Sequence, residues 1–257
     1  MTGGGGGNVE KGQSFEEYVK SNPNRPDDSK KTIYILLIGD FEPKQLEVLD
    51  KTIQYMESCF SLPVKKLASF PMSRIADEAK RECPQYGQPQ LNATHVIKEI
   101  LLPNRPEDAV ALIGFTATDL FPSENINYVF GLASLTNRIG VWSIYRNGNP
   151  GVNDNMFKQC LRRTISTAVH ETGHIFGIHH CIAFECVMSQ RENMIQKDLR
   201  GLHFCPSCQQ KLNWAMNSDP AKRLRNLMAI TSSSGLDKEA QFFQKSLELL
   251  RKNRVNK

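Results

Sequence analysis

Five of the six histidines and four of the seven cysteines of this 257-residue chain fall between positions 170 and 208. Side chains that ligate zinc and similar metals cluster in this way around an ion, so the fold has to bring these residues to a common point. The first of them form His170-Glu171-Thr172-Gly173-His174. Just upstream, after a loop at 147–154, Phe157, Leu161, Ile165, Ala168 and Val169 recur on one face, which predicts a helix continuing to about Phe176. On a helix, four residues at 100° each return the second imidazole to within about 40° of the first, one turn on. Both histidines can then hold one metal ion. Glu171, rotated by about 100°, is placed to take a proton from a water on that metal rather than to ligate it. Gly177 can adopt positive φ, end the helix and reverse the chain, so that His180 returns as a third nitrogen ligand. His179 is the alternative, because only one of the two neighbours can point inward.

Three neutral imidazoles leave one tetrahedral position open, which is the pattern of a catalytic zinc site rather than a structural one. In a chain of this composition the full spacing HExxHxxGxxH arises by chance in roughly 2 of 100,000 sequences, which sets aside three unrelated histidines. Independently, Cys181, Cys186, Cys205 and Cys208 come in two pairs that end in a CxxC, and they read as a closed, structural thiolate site. Free buried thiols, or a redox role for the CxxC, are weaker readings, the second because no strand precedes the pair. Cys181 abuts His180, so a metal on the cysteines would brace the loop that carries the third histidine.

The whole block, HExxHxxGxxHCxxxxCxM followed by CxxC, resembles the archaemetzincins, a branch of the metzincin zinc peptidases, most strongly over about 165–210. The resemblance implies that His170, His174 and His180 hold a catalytic zinc, that Glu171 is the general base, and that Met188 is the Met-turn residue beneath the metal. It implies a second, structural zinc on Cys181, Cys186, Cys205 and Cys208. The expected activity is peptide-bond hydrolysis, of aminopeptidase type on short peptides, with zinc-bound water activated by Glu171. The peptide would lie along an edge strand at about 129–135. The alternative is a zinc-stabilised protein-binding module without turnover, against which an intact Glu171 argues.

The remainder of the chain predicts an α/β (α+β) fold, metzincin-like by the same resemblance: a twisted mixed sheet, an active-site helix and a mainly helical lower subdomain. Thr32–Ile38 and Ala109–Phe115 read as buried parallel strands, and stretches 128–135 and 139–145 as a pair at a sheet edge. Leu46, Leu49, Ile53, Met56 and Phe60 mark a helix after the first strand, and Asn92 caps another that Pro103 ends. Residues 62–70 read as a second strand, and 209–216 and 236–253 as helices. Residues 1–30, polar and rich in glycine, read as a flexible segment with a short helix near Phe15. The catalytic domain then spans 31–257, with an upper part at about 31–177 and a lower part at 178–257.

Composition excludes other classes. The net charge of +5 is spread over the chain, and only Phe204, Lys211 and Trp214 lie near the CxxC, too little for a nucleic-acid interface. No apolar run approaches the roughly 18 residues of a membrane span. The glycine-rich start lacks the pattern of a secretory signal, so the expectation is an intracellular, cytoplasmic or nuclear protein with reduced thiols and peptide partners. The sequence assigns no oligomeric state. Cys59, Cys83 and Cys160 read as unpaired thiols, His95 as a surface or satisfied histidine, and Asn92-Ala93-Thr94 as a coincidental glycosylation sequon. Arg162-Arg163 reads as a solvated helix face in preference to an anchor for a substrate carboxylate.

Overall fold

The structure, a computed structural model, describes residues 11–190 and 198–255. The glycine-rich start expected to be flexible therefore lies outside the described residues up to position 10. The first element, α1 (Phe15–Lys20), is capped by Ser14, whose hydroxyl accepts from Glu17 N at 3.1 Å. β1 (Thr32–Ile38) follows, then α2 (Pro43–Phe60), with Leu49, Ile53, Met56 and Phe60 buried as their spacing predicts and Leu46 exposed. The expected second strand is shorter, β2 (Val64–Lys66), parallel to β1. Beyond it lie β3 (Lys80–Glu82) and β4 (Pro89–Asn92). Asn92 Oδ1 accepts from His95 N and caps α3 (Ala93–His95), which widens into π turns over Val96–Leu101.

β5 (Ala109–Thr116) is buried at every position, as a central parallel strand has to be. β6 (Asp119–Phe121), β7 (Gly131–Ser134) and β8 (Ile139–Ser143) follow. The main sheet has the order β2-β1-β5-β8-β7, parallel apart from the antiparallel edge strand β7. Strand alternation gives it two apolar faces. Ile33, Ile35, Leu37, Ile113 and Phe115 join the core shared with α2 and the long helix α4 (Asp154–Ile175). On the other face Leu36, Ile38 and Leu112 join the π turns through Val96, Ile100 and Leu101. The small sheet β3-β4-β6 was not foreseen, since its strands are only three or four residues long and β3 is charged throughout. It is tied to the turn after β8 by Arg146, whose Nε and Nη2 donate to the buried Asp119 carboxylate at 2.8 and 2.7 Å.

The end of the chain is helical: α5 (Pro206–Met216), α6 (Pro220–Ser233) and α7 (Asp237–Val255). Leu212, Leu227 and Phe243 carry them into the same core as α2 and α4. α6 was missed, although Asp219 at its cap and Pro220 at its first position are both start signals.

Residues 11–30 differ from the expected flexible lead-in. Tyr18 is fully buried and its hydroxyl donates to Phe176 O at 2.9 Å. Asn24 Nδ2 donates to Val110 O at 3.0 Å, and the Arg25 guanidinium stacks 3.8 Å over the Trp214 ring. These are long-range contacts, which no local periodicity announces. Arg162 and Arg163 also depart from a solvated face. Arg162 Nε donates to Glu239 Oε1 at 2.8 Å and Arg163 Nε to Asp198 Oδ1 at 2.7 Å, so the pair fastens α4 to α7 and to the 198 segment.

Candidate metal centre

Asn153 caps α4 by accepting from Met156 N at 3.0 Å, and the helix runs unbroken through the histidine motif. It ends in a Schellman turn: Ile178 N donates to Gly173 O at 3.0 Å and Gly177 N to His174 O at 2.8 Å, with Gly177 at φ 79°. That left-handed residue sends the chain back along the helix and brings His180 to His170 and His174. One ring nitrogen of each lies within 4.8 Å of the other two. His179, the alternative, is exposed outside this group, and its backbone N–H donates to Gln13 Oε1 at 3.3 Å.

Neighbouring carbonyls fix the state of two rings. His170 Nδ1 lies 2.8 Å from Val187 O and His174 Nδ1 lies 2.7 Å from Ile178 O. A carbonyl only accepts, so each Nδ1 carries the proton and each Nε2 presents a lone pair. The two Nε2 atoms are 3.1 Å apart. Lone pairs at that separation repel unless they share a cation. Rings held through Nδ1 by backbone carbonyls are also the usual supporting shell of metal-bound histidine. The donor set fits zinc. Glu171 is half-buried, one residue along α4 from His170.

Met188 is fully buried with its sulfur against α4 inside the motif. A Cβ on Gly173 would meet Met188 Sδ at 2.5 Å. A side chain at this glycine of the HExxH segment would displace the buried Met188 thioether, whereas its φ makes no demand for glycine.

The sulfurs of Cys181, Cys186, Cys205 and Cys208 also lie within 4.8 Å of one another, and none is in a disulfide. Backbone N–H groups point at them: Met188 N and Cys205 N at Cys186 Sγ, 3.5 and 3.2 Å, and Cys208 N at Cys205 Sγ, 3.5 Å. Hydrogen bonds from Cys186 and Cys208 hold the Cys205 thiol well below its usual range, while the bond to Cys205 pushes Cys186 up and bonds to Cys186 and Cys205 push Cys208 up. One negative charge is cheap in such a cluster. Four thiolates need a compensating dication, which again suits zinc.

The segment 186–188 serves both groups. Val187 O holds His170, Met188 O accepts from Cys181 N at 2.9 Å, and Val187 N donates to His203 O at 2.9 Å.

The sequence profile of peptidase family M54 matches residues 104–214, from just before β5 to most of α5. Archaemetzincin-2 of Homo sapiens is 30% identical over 248 residues, covering 84% of this chain and 68% of that protein. This chain belongs to the archaemetzincin family. The archaemetzincin of Pyrococcus furiosus is 27% identical over 181 residues, 70% of this chain and 91% of its own. The crystal structure of an archaemetzincin from Archaeoglobus fulgidus complexed with malonate superimposes with a TM-score of 0.52 at 25% identity, covering 70% of this chain and 99% of that one. Membership makes the chain a zinc metallopeptidase by family, and both donor groups fall within the matched residues.

Other residues of this archaemetzincin take structural places. Cys59, Cys83 and Cys160 are buried away from both groups, and burial pushes the Cys59 thiol up to about 12. His95 is half-buried on α3. His203 stacks on Phe242 with ring centroids 3.6 Å apart. Among the described residues, no helix is long and apolar enough to cross a membrane. Sequence reasoning passed over Gln13 and Tyr18, which bond the histidine loop from more than 150 residues away in the chain.

Proposed function

We propose that this archaemetzincin is a peptidase of aminopeptidase type acting on short peptides, with a catalytic zinc on His170, His174 and His180 and a structural zinc on Cys181, Cys186, Cys205 and Cys208. The facing Nε2 atoms of His170 and His174, 3.1 Å apart with both Nδ1 protons committed elsewhere, carry this reading. When bound, zinc supplies Lewis acidity, polarising the scissile carbonyl and making a water acidic near neutral pH. Glu171 takes the proton of the attacking water and returns it to the departing amine. Met188 fills the floor below the histidines, the place of a metzincin Met-turn. β7, at the free edge of the sheet, offers its backbone to an extended peptide, so that hydrogen bonding positions the substrate and leaves side-chain choice to the surrounding wall. Cysteines held outside any disulfide suit a reducing, cytoplasmic setting.

The decisive experiment measures zinc per chain in purified protein, then compares wild type with Glu171→Ala on peptides with free and with acetylated N-termini. Two zincs and Glu-dependent cleavage of free termini alone are expected. Unchanged cleavage in the variant removes Glu171 as base, and equal cleavage of acetylated peptides removes the aminopeptidase mode. Zinc binding without cleavage of any peptide favours the non-catalytic binding module.

A further inference from the structure

The Schellman turn that delivers His180 leaves backbone groups of residues 176–179 without helical partners, as every helix end does. Three are met by one segment from the other end of the chain. Tyr18 Oη donates to Phe176 O at 2.9 Å, Gln13 Nε2 donates to Gly177 O at 3.1 Å, and Gln13 Oε1 accepts from His179 N at 3.3 Å. The Gln13 amide thus binds the turn through both its ends. It also accepts, through Oε1 at 3.1 Å, from the ammonium of Lys211, which bonds Gln13 O as well. Lys211 is 3% exposed and sits on α5, one turn beyond Cys208. A buried ammonium left without partners is expensive, so Lys211 ties the segment firmly to the helix that carries two of the cysteines. The approach is close throughout: a Cβ on Gly177 would meet Pro23 Cβ at 2.7 Å, and one on Gly12 would meet Ile182 Cγ1 at 2.8 Å.

We infer that residues 12–23 form a strap that positions the third histidine, with Gln13 as its positioning residue, joining the loop of His180 to the helix of Cys205 and Cys208. Gln13 touches neither metal nor substrate. It sets how long His180 stays in place. This inference rests on His180 being a zinc ligand, and the test separates the two.

Zinc release from the holoenzyme into excess chelator is followed for wild type, Gln13→Ala, Gln13→Glu and His180→Ala. The cobalt-substituted protein is followed in parallel, because its thiolate-to-cobalt charge-transfer band reports the cysteine site alone. Gln13→Ala should release the histidine-site zinc about tenfold faster or more, by analogy with other residues that orient ligands. Its thiolate band and melting temperature should stay near wild type. Gln13→Glu keeps the acceptor for His179 N and Lys211 while losing the donor to Gly177 O, and should fall between. If His180→Ala loses that zinc while Gln13→Ala holds it at the wild-type rate, the strap is merely packing and the inference is overturned. If His180→Ala retains the zinc as wild type does, the ligand assignment beneath it is what fails. Equal loss of both metals in Gln13→Ala also overturns it, since that is general unfolding rather than positioning.

Discussion

The histidine group and the cysteine group are separated by one peptide bond, between His180 and Cys181, yet they are assembled differently. Two of the three imidazoles come from adjacent turns of one helix, and a single turn at Gly177 supplies the third. The four sulfurs come from two loop positions and the first turn of α5, with backbone N–H groups directed at them. His174 and His180 are half-buried, whereas three of the four cysteines are buried. A rigid rod that presents ligands at a partly open face suits exchange of a fourth partner. A knot of loops closed over four sulfurs suits permanence. The comparison teaches that the proposed catalytic group is carried on regular structure, while the proposed structural group pins irregular structure.

Breaking the open group should have the largest effect. His174→Ala removes one of the three proposed nitrogen ligands, and peptide hydrolysis should fall below detection while elemental analysis still finds one zinc per chain. Loss of both zincs would make the two centres one cooperative unit. Next comes the closed group. Cys208→Ala should cost about 4 kcal/mol or more in unfolding free energy, as loss of a structural metal does. Because Cys181 adjoins His180, activity should drop with it, and a variant with full activity and both metals would end the idea that one centre braces the other.

Smaller changes sharpen the contrast. Arg162→Ala removes the tie between α4 and α7 and should cost about 2 kcal/mol in denaturant unfolding, with both zincs retained. Tyr18→Phe leaves Phe176 O short of one bond and should cost about 1 kcal/mol, measured the same way.

Much of the site was legible because its spacing is local. HExxH is a statement about one helix, and Gly177 followed by His180 is a statement about one turn, so periodicity and φ preference suffice. β1, β5 and the β7–β8 pair were legible for a similar reason: burial on both faces, or a polar turn between apolar runs, leaves its mark on consecutive residues. The small β3-β4-β6 sheet left none, since Lys80–Glu82 is charged throughout and pairs by backbone alone. The strap was illegible for a different reason. Gln13 and Gly177 are 164 residues apart, and nothing near either position encodes the other. Arg162 and Arg163 looked like surface because charge on a helix usually is, and their partners come from distant segments.

The contact between Gly173 and Met188 bears on how this enzyme could be improved. Stability engineering commonly begins by replacing mid-helix glycines, since alanine there gains about 1 kcal/mol by propensity alone. At position 173 the added methyl would occupy the space of the Met188 sulfur and displace that buried thioether from the helix. The substitution most favoured by a propensity table would trade the packing of a buried thioether against the HExxH segment for a slightly firmer helix, so this one glycine should be held fixed in any design.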